Sequence, residues 1–285
     1  MIVDAHQHFW DPARGDYGWL KPDSPIHRVY STADLRPLLA DTGVDATILV
    51  QAAPTQAETD YMLGIARNAP WILGVVGWID LEAAGAANEV RRRAGDPLFL
   101  GVRPMLQDLP DPGWILKPGL APALDAIAAE GLVFDALVLP HQVAAVSELA
   151  RRHPQLSIVL DHGAKPRLGV PAAMREWEKS IATLAAHPNV SCKLSGLLNE
   201  LQPGGGRDDV IAAAATLFDL FGRERLVWGS DWPVLTLAGD YGNWFELARE
   251  AVAARDSSAV AGVMGANALR IYRPDKSRLG RHINA

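Results

Sequence analysis

An α/β fold built on a parallel sheet is predicted by three features of this sequence. Short apolar runs rich in Val, Ile and Leu alternate with Ala- and Leu-rich amphipathic segments along nearly the whole chain, the pattern of repeated βα units. The alternation occurs eight times, and a count of eight favours a closed barrel over an open doubly wound sheet. No Gly-x-Gly-x-x-Gly follows the first strand, so a dinucleotide fold loses its main support. The expected architecture is a (β/α)8 TIM barrel with a C-terminal helical extension, one domain over residues 1–285, since no linker or short-period repeat interrupts it.

The first strand is the apolar run Met1-Ile2-Val3 leading into Asp4-Ala5-His6-Gln7-His8-Phe9. A long polar loop follows over 9–31, rich in Trp, Pro, Asp and Gly and without periodicity. Loops of that length in compact domains are often functional. Residues 34–42 read as a helix with Asp34 near its start and Gly43 as a stop. Further strands are expected at 46–51, 72–78, 99–103, 132–138, 156–162, 190–195 and 226–231. Helices are expected at 56–68, 82–94, 121–130, 141–152, 171–186 and 208–221, with a Pro-rich loop at 104–118 and a Gly-rich one at 203–206. Helices near 241–254 and 257–268 supply the extension.

Composition excludes several function classes. Apolar residues make up 49% and charged residues 21%, as in a globular protein with a sizeable core. The net charge of −6 and the absence of a Lys/Arg run leave no nucleic-acid footprint. Arg91-Arg92-Arg93 falls at the end of a helical pattern and reads as a solvated helix end, where cations suit the dipole. The single cysteine, Cys192, excludes an internal disulfide and reads as a small core residue. No signal peptide precedes the first strand and no apolar stretch reaches ~18 residues, so a soluble cytoplasmic protein without a membrane partner is expected.

The strand ends carry the chemistry. Parallel barrel strands aim their C-terminal ends at one face, where active sites sit. That places His6, His8, Gln51, Trp78, Arg103, His162 and Asp231 as neighbours. The i, i+2 spacing of His6 and His8 puts both imidazoles on one face of a strand. On the last strand Asp231 shares a face with Gly229 and Val227, and on the fourth Arg103 shares one with Gly101 and Phe99. Three histidines and an aspartate meeting at one point have two physical uses. They bind a divalent metal such as zinc, or the imidazoles polarise a carbonyl directly while Asp231 takes a proton from water. Asp135 and Lys193 sit inside apolar strands and require partners, a buried pair between them being one solution.

His6-Gln7-His8 after strand 1, Asp161-His162-Gly163 after strand 6 and Gly229-Ser230-Asp231-Trp232-Pro233 after strand 8 resemble the amidohydrolase superfamily. More narrowly they resemble its lactonase branch, the L-fuconolactone and L-rhamnonolactone hydrolases and 2-pyrone-4,6-dicarboxylate lactonase. The resemblance covers nearly the whole chain and extends to Gly101-Val102-Arg103, Lys193-Leu194-Ser195-Gly196 and Asn267-Ala268-Leu269-Arg270-Ile271-Tyr272. Many metal-dependent members carry a bridging Lys or Glu on strand 4 or 5 and a histidine ending strand 5. Here strand 5 ends Ala136-Leu137-Val138, with His141 only later, and strand 4 ends in Arg103, which argues against a binuclear centre. The related decarboxylases have Glu-x-His where this chain has His6-x-His8, which counts against a lyase.

The resemblance implies a hydrolase that opens a sugar lactone, an L-sugar or deoxysugar lactone first, with a dicarboxylate pyrone lactonase or a decarboxylase as alternatives. It makes Asp231 the general base and sets His6, His8 and His162, with one divalent metal or none, to polarise the carbonyl. No organic cofactor is implied. Arg103 is a candidate for holding a ring oxygen or carboxylate, and Trp10, Trp78 and Trp232 for stacking on a sugar ring. Gln51, His27, His141 and Lys165 complete the expected substrate contacts, while His153, His187 and His282 carry no motif and are set aside as surface. Neither the lactone nor the choice between monomer and dimer is legible in the sequence.

Overall fold

The computed structural model describes residues 1–279; His282 lies outside the described residues. Eight parallel strands follow one another around the sheet in chain order. They are β1 (Val3–Gln7), β2 (Ala46–Val50), β3 (Ile72–Gly77), β4 (Phe99–Val102), β5 (Val133–Ala136), β6 (Ser157–Leu160), β7 (Val190–Leu194) and β8 (Leu226–Trp228). Between and after them run α1 (Thr32–Thr42), α2 (Gln56–Asn68), α3 (Ala86–Ala94), α4 (Ala121–Ala129), α5 (Val143–Arg152), α6 (Pro171–Ala185), α7 (Arg207–Arg225), α8 (Tyr241–Asp256) and α9 (Asn267–Tyr272). The barrel closes through the segment after β8: Asp231 N–H donates to the His6 carbonyl at 2.8 Å and His8 N–H to the Trp232 carbonyl at 2.7 Å.

Both faces of these strands are covered, which is why they read as near-continuous apolar runs. The outer layer, between sheet and helices, contains Leu49, Val75, Phe134, Ile158 and Trp228. The inner layer contains Val3, Ala5, Ile48, Val76, Leu100, Val133, Val159 and Val227, joined by Ala268, Ile271 and Tyr272 of α9. The C-terminal helix therefore packs on the barrel's interior rather than decorating its outside.

Three expectations are corrected. The helix placed at 257–268 is a short 3-10 turn (Ser257–Ala259), a π turn (Gly262–Ala266) and then α9, since Gly265 lies against the Met1 backbone where a Cβ would approach the carbonyl oxygen to 2.2 Å. Phe99 does not share Arg103's face. The β3–β4 register shifts between Val75 and Val76, and Phe99 falls in the outer layer while Leu100 turns inward. The Arg91–Arg93 cluster is not wholly solvated: Arg93 is buried, with Nε donating to Glu89 at 2.9 Å and a guanidinium nitrogen paired with Asp60.

Candidate active site

A β-bulge sets up the first two histidines. Val3 and Ala5 face the barrel interior, and strict alternation would then send His6 outward. The register between β1 and β2 shifts between Asp4 and Gln7, and beyond the shift His6 and His8 both reach the mouth. Their Nε2 atoms lie 3.2 Å apart. His8 Nδ1 faces the Val50 carbonyl at 2.8 Å and donates there, which fixes the ring.

His162 arrives on a different device. Strand β6 stops at Leu160, short of the expected strand end, because His162, Gly163, Ala164 and Lys165 all adopt left-handed backbone, with φ of 53°, 55°, 59° and 53°. Such residues cost ~1–2 kcal/mol each when they are not glycine, and strain of this kind collects at functional sites. The turn is held by Trp177 Nε1 donating to the Gly163 carbonyl at 2.6 Å and by a Ser195 Oγ contact to His162 Nδ1 at 2.9 Å. Asp231, with φ of 59°, is strained in the same sense.

These segments bring the four groups to one point. Asp231 Oδ1 stands 3.2 Å from His8 Nε2, 3.6 Å from His6 Nε2 and 3.8 Å from His162 Nε2. All four side chains are buried. Burial, reinforced by Lys193, drives the His6 pKa well below the usual imidazole value, and burial carries His162 down to about 4. Burial alone would raise the Asp231 carboxyl, but His162, His8 and His6 outweigh it and hold it below the usual carboxylate range. At neutral pH an ionised Asp231 thus stands beside the neutral imidazoles of His6 and His162.

The donor set also fits a single cation. Ligand atoms on a tetrahedral zinc lie about 3.4 Å apart, given Zn–N bonds near 2.0–2.1 Å. His6, His8 and Asp231 present ligand atoms within 4.8 Å of one another, as do His6, Asp161 and His162. A carbonyl or hydroxyl behind each of His8 and His162 fixes its ring, as the outer partners of metal-bound histidines do.

Below this point lies a layer of buried charge. Lys193 Nζ is 2.5 Å from Asp135 Oδ2, 3.0 Å from Asp161 Oδ1 and 3.1 Å from His6 Nδ1. Arg103 Nη1 donates to Asp161 Oδ2 at 3.1 Å, and its other terminal nitrogen donates to the Gln51 carbonyl. Tyr272 of α9 closes the layer from below, its hydroxyl donating to Asp135 Oδ1 at 2.8 Å.

A cavity of about 180 Å³ opens above the four groups. Its wall includes His8, His162, Asp231, Arg103 and Lys165, together with Trp19, Ala52, Met105, Gln107, Asp108, Leu137 and Val234. Other expected substrate contacts take different places. Trp10 is fully buried against Tyr30 and Trp19, and Trp232 packs edge-on to Tyr30 and Phe9. Gln51 is buried, donating to the Arg103 carbonyl at 2.7 Å. Trp78 is half-buried, its backbone N–H bound to Thr59, and His27 and His141 are exposed away from the cavity wall. His153 and His187, set aside as surface, are half-buried and paired with Asp125 and Ser147. Trp19, Met105, Gln107 and Asp108 were not singled out by the sequence; they sit in its two long aperiodic loops, whose length was the available signal.

Fold and site together have the layout of a barrel enzyme: a carboxylate and three imidazoles converge beside a cavity at the strands' C-terminal ends. The amidohydrolase family model matches residues 3–273, and the chain belongs to that family. It is 44% identical to an L-fucono-1,5-lactonase of Burkholderia ambifaria over 98% of both chains. It is 34% identical to an L-fucono-1,5-lactonase of Burkholderia multivorans, covering 98% of this chain and 99% of that one. A crystal structure of an amidohydrolase from Burkholderia multivorans with bound zinc superposes with a TM-score of 0.90 at 32% identity, covering 96% and 99% of the two chains. Among the described residues no helix is long and apolar enough to cross a membrane.

Proposed function

We propose that this chain hydrolyses a sugar lactone, with L-fucono-1,5-lactone the first candidate on the strength of its two named relatives. The observation that carries the reading is the Asp231 carboxylate within 3.8 Å of three imidazoles beneath the cavity. Asp231 takes a proton from water as the water oxygen adds to the lactone carbonyl. The developing oxyanion is stabilised by the imidazole face of the site. The ring C–O bond then breaks, and the proton held by Asp231 passes to the departing ring oxygen to give the open hydroxy acid. His6, His8, His162 and Asp231 are the residues that would hold one zinc ion; bound there, it would polarise the carbonyl and acidify water.

The cavity favours a neutral polyol over a pyrone dicarboxylate. Two cations, Arg103 and Lys165, line it, and Arg103 is already paired with Asp161, while Asp108 and Asp231 add negative charge to the same wall. Two carboxylates on one substrate would meet more repulsion than attraction. The test is a panel of L-fucono-1,5-lactone, other aldonolactones and 2-pyrone-4,6-dicarboxylate, followed by proton release against a pH dye. Enzymatic opening of a sugar lactone with kcat/KM above about 10⁴ M⁻¹s⁻¹ is expected. Turnover of the pyrone alone, or carbon dioxide from an aromatic acid, would overturn the reading.

A further inference from the structure

The reaction above leaves the layer of buried charge beneath the cavity without a part. Lys193 is fully buried in β7, beneath the cavity, and touches no point where substrate could sit. We propose that Lys193 is a positioning residue that holds His6 in the tautomer with its proton on Nε2, so that an N–H rather than a lone pair faces His8 and Asp231.

Counting donors and acceptors leads there. The Lys193 ammonium is a donor only, and it hydrogen-bonds Asp135 Oδ2 at 2.5 Å and His6 Nδ1 at 3.1 Å, with Asp161 Oδ1 at 3.0 Å as an ion-pair partner. The bond to His6 requires a lone pair on Nδ1, which in a neutral imidazole puts the proton on Nε2. The far side of the ring agrees: His6 Nε2 lies 3.6 Å from Asp231 Oδ1, where an N–H meets the carboxylate and a lone pair would oppose it. The competing contacts are longer: Asp161 Oδ1 is 3.4 Å from His6 Nδ1, and Arg103 Nη1, which donates to Asp161 Oδ2 at 3.1 Å, is 3.4 Å from His6 Nε2. Tyr272 holds Asp135 from below, so the C-terminal helix fixes the ammonium's counter-ion.

Two consequences follow. His6 enters lactone hydrolysis as a hydrogen-bond donor that orients the Asp231 carboxylate, a point that rests on the function proposed above. A cation held by His6 needs the other tautomer, with Nδ1–H turned to Asp161 and the Lys193 contact given up, so Lys193 weighs against metal ligation by His6.

The first test uses the unaltered chain, labelled with ¹⁵N-histidine and treated with chelator. Long-range ¹H–¹⁵N correlations at neutral pH, with His6 assigned by difference from His6→Gln, are expected to show a bare Nδ1 and a protonated Nε2. A protonated Nδ1 would sink the proposal. The second test is the Lys193→Met, Asp135→Asn double variant, which removes the donor while keeping the buried charge balanced. Its kcat is expected to fall about 10–100-fold with KM little changed, and its affinity for zinc alone to rise by a similar factor. Were Lys193 only a counter-ion, the double variant would keep wild-type kcat and zinc affinity, and that result overturns the proposal. If the double variant does not fold, the resonance measurement decides alone. If the wild-type chain opens no lactone, the function fails while the resonance measurement still locates the proton.

Discussion

The Asp4 carboxylate accepts the Ser230 backbone N–H at 2.8 Å, which ties the first strand to the segment after the last one residue before Asp231. The same carboxylate accepts the His6 N–H at 3.1 Å and the Tyr241 hydroxyl at 3.0 Å. Burial lifts its pKa to about 6 against these hydrogen bonds. Asp4 thus fixes the backbone on both sides of the pair His6 and Asp231 without entering the cavity wall itself.

With the backbone so fixed, the carboxylate of Asp231 is the group to remove. Asp231→Asn keeps the shape but cannot take a proton, and kcat for lactone opening is expected to fall about 10²–10⁴-fold. Steady-state proton release measures it, and an unchanged kcat would remove Asp231 from the role of base.

Gly196 lies behind His162, with φ of 66°; a Cβ there would come within 2.6 Å of Nδ1 and 2.8 Å of Cγ. Gly196→Ala is expected to displace the imidazole, lowering kcat at least about tenfold and stability by ~1–2 kcal/mol. Gly204, φ 91° with open space around it, is the control. Gly204→Ala should cost comparable stability in a denaturant melt while leaving kcat alone.

Glu58 predicts a pH dependence of stability. It is buried behind the cavity wall, accepts the N–H groups of Ala52 and Ala53 at 2.9 Å each, and burial lifts its pKa from 4.5 to about 7. The folded state binds the extra proton between those values, so its contribution is full below 4.5 and is lost as pH rises through about 7. The shift corresponds to about 3 kcal/mol. Thermal melts from pH 5 to 8 should show a smaller fall in Tm for Glu58→Gln than for wild type. Parallel slopes would count against the assignment.

Metal stoichiometry checks the donor set. Saturating zinc followed by gel filtration is expected to leave no more than one ion per chain, since the two ligand groups among the described residues share His6. His8→Ala or Asp231→Asn should reduce retention about 10–100-fold or more. Two ions per chain would require ligands that the site does not bring together.

Much of this was legible in advance. The strand runs β2 and β3 are marked by β-branched apolar residues, and the helix Gln56–Asn68 falls where its pattern placed it, capped by Thr55 Oγ1 on Glu58 N–H. The convergence of His6, His8, His162 and Asp231 follows from topology once parallel strands are assumed, because every strand end arrives at the same rim. The aromatic contacts were less legible. A tryptophan after a strand looks the same whether it lines a mouth or, like Trp10 and Trp232, fills the layer behind it.

Hydrophobic period and strand count determined the barrel, and the chemistry-bearing residues at strand ends determined which side chains could meet. Both are local patterns that a chain carries wherever it folds. Only the tertiary structure decided on which side of the sheet His6 lands, which loops wall the cavity, and that Lys193 stands between Asp135, Asp161 and His6. A one-residue bulge reverses the face of everything beyond it, and a buried ammonium takes its meaning from three acceptors contributed by three other strands or strand ends. Distances of that kind are set by packing, which no single segment encodes.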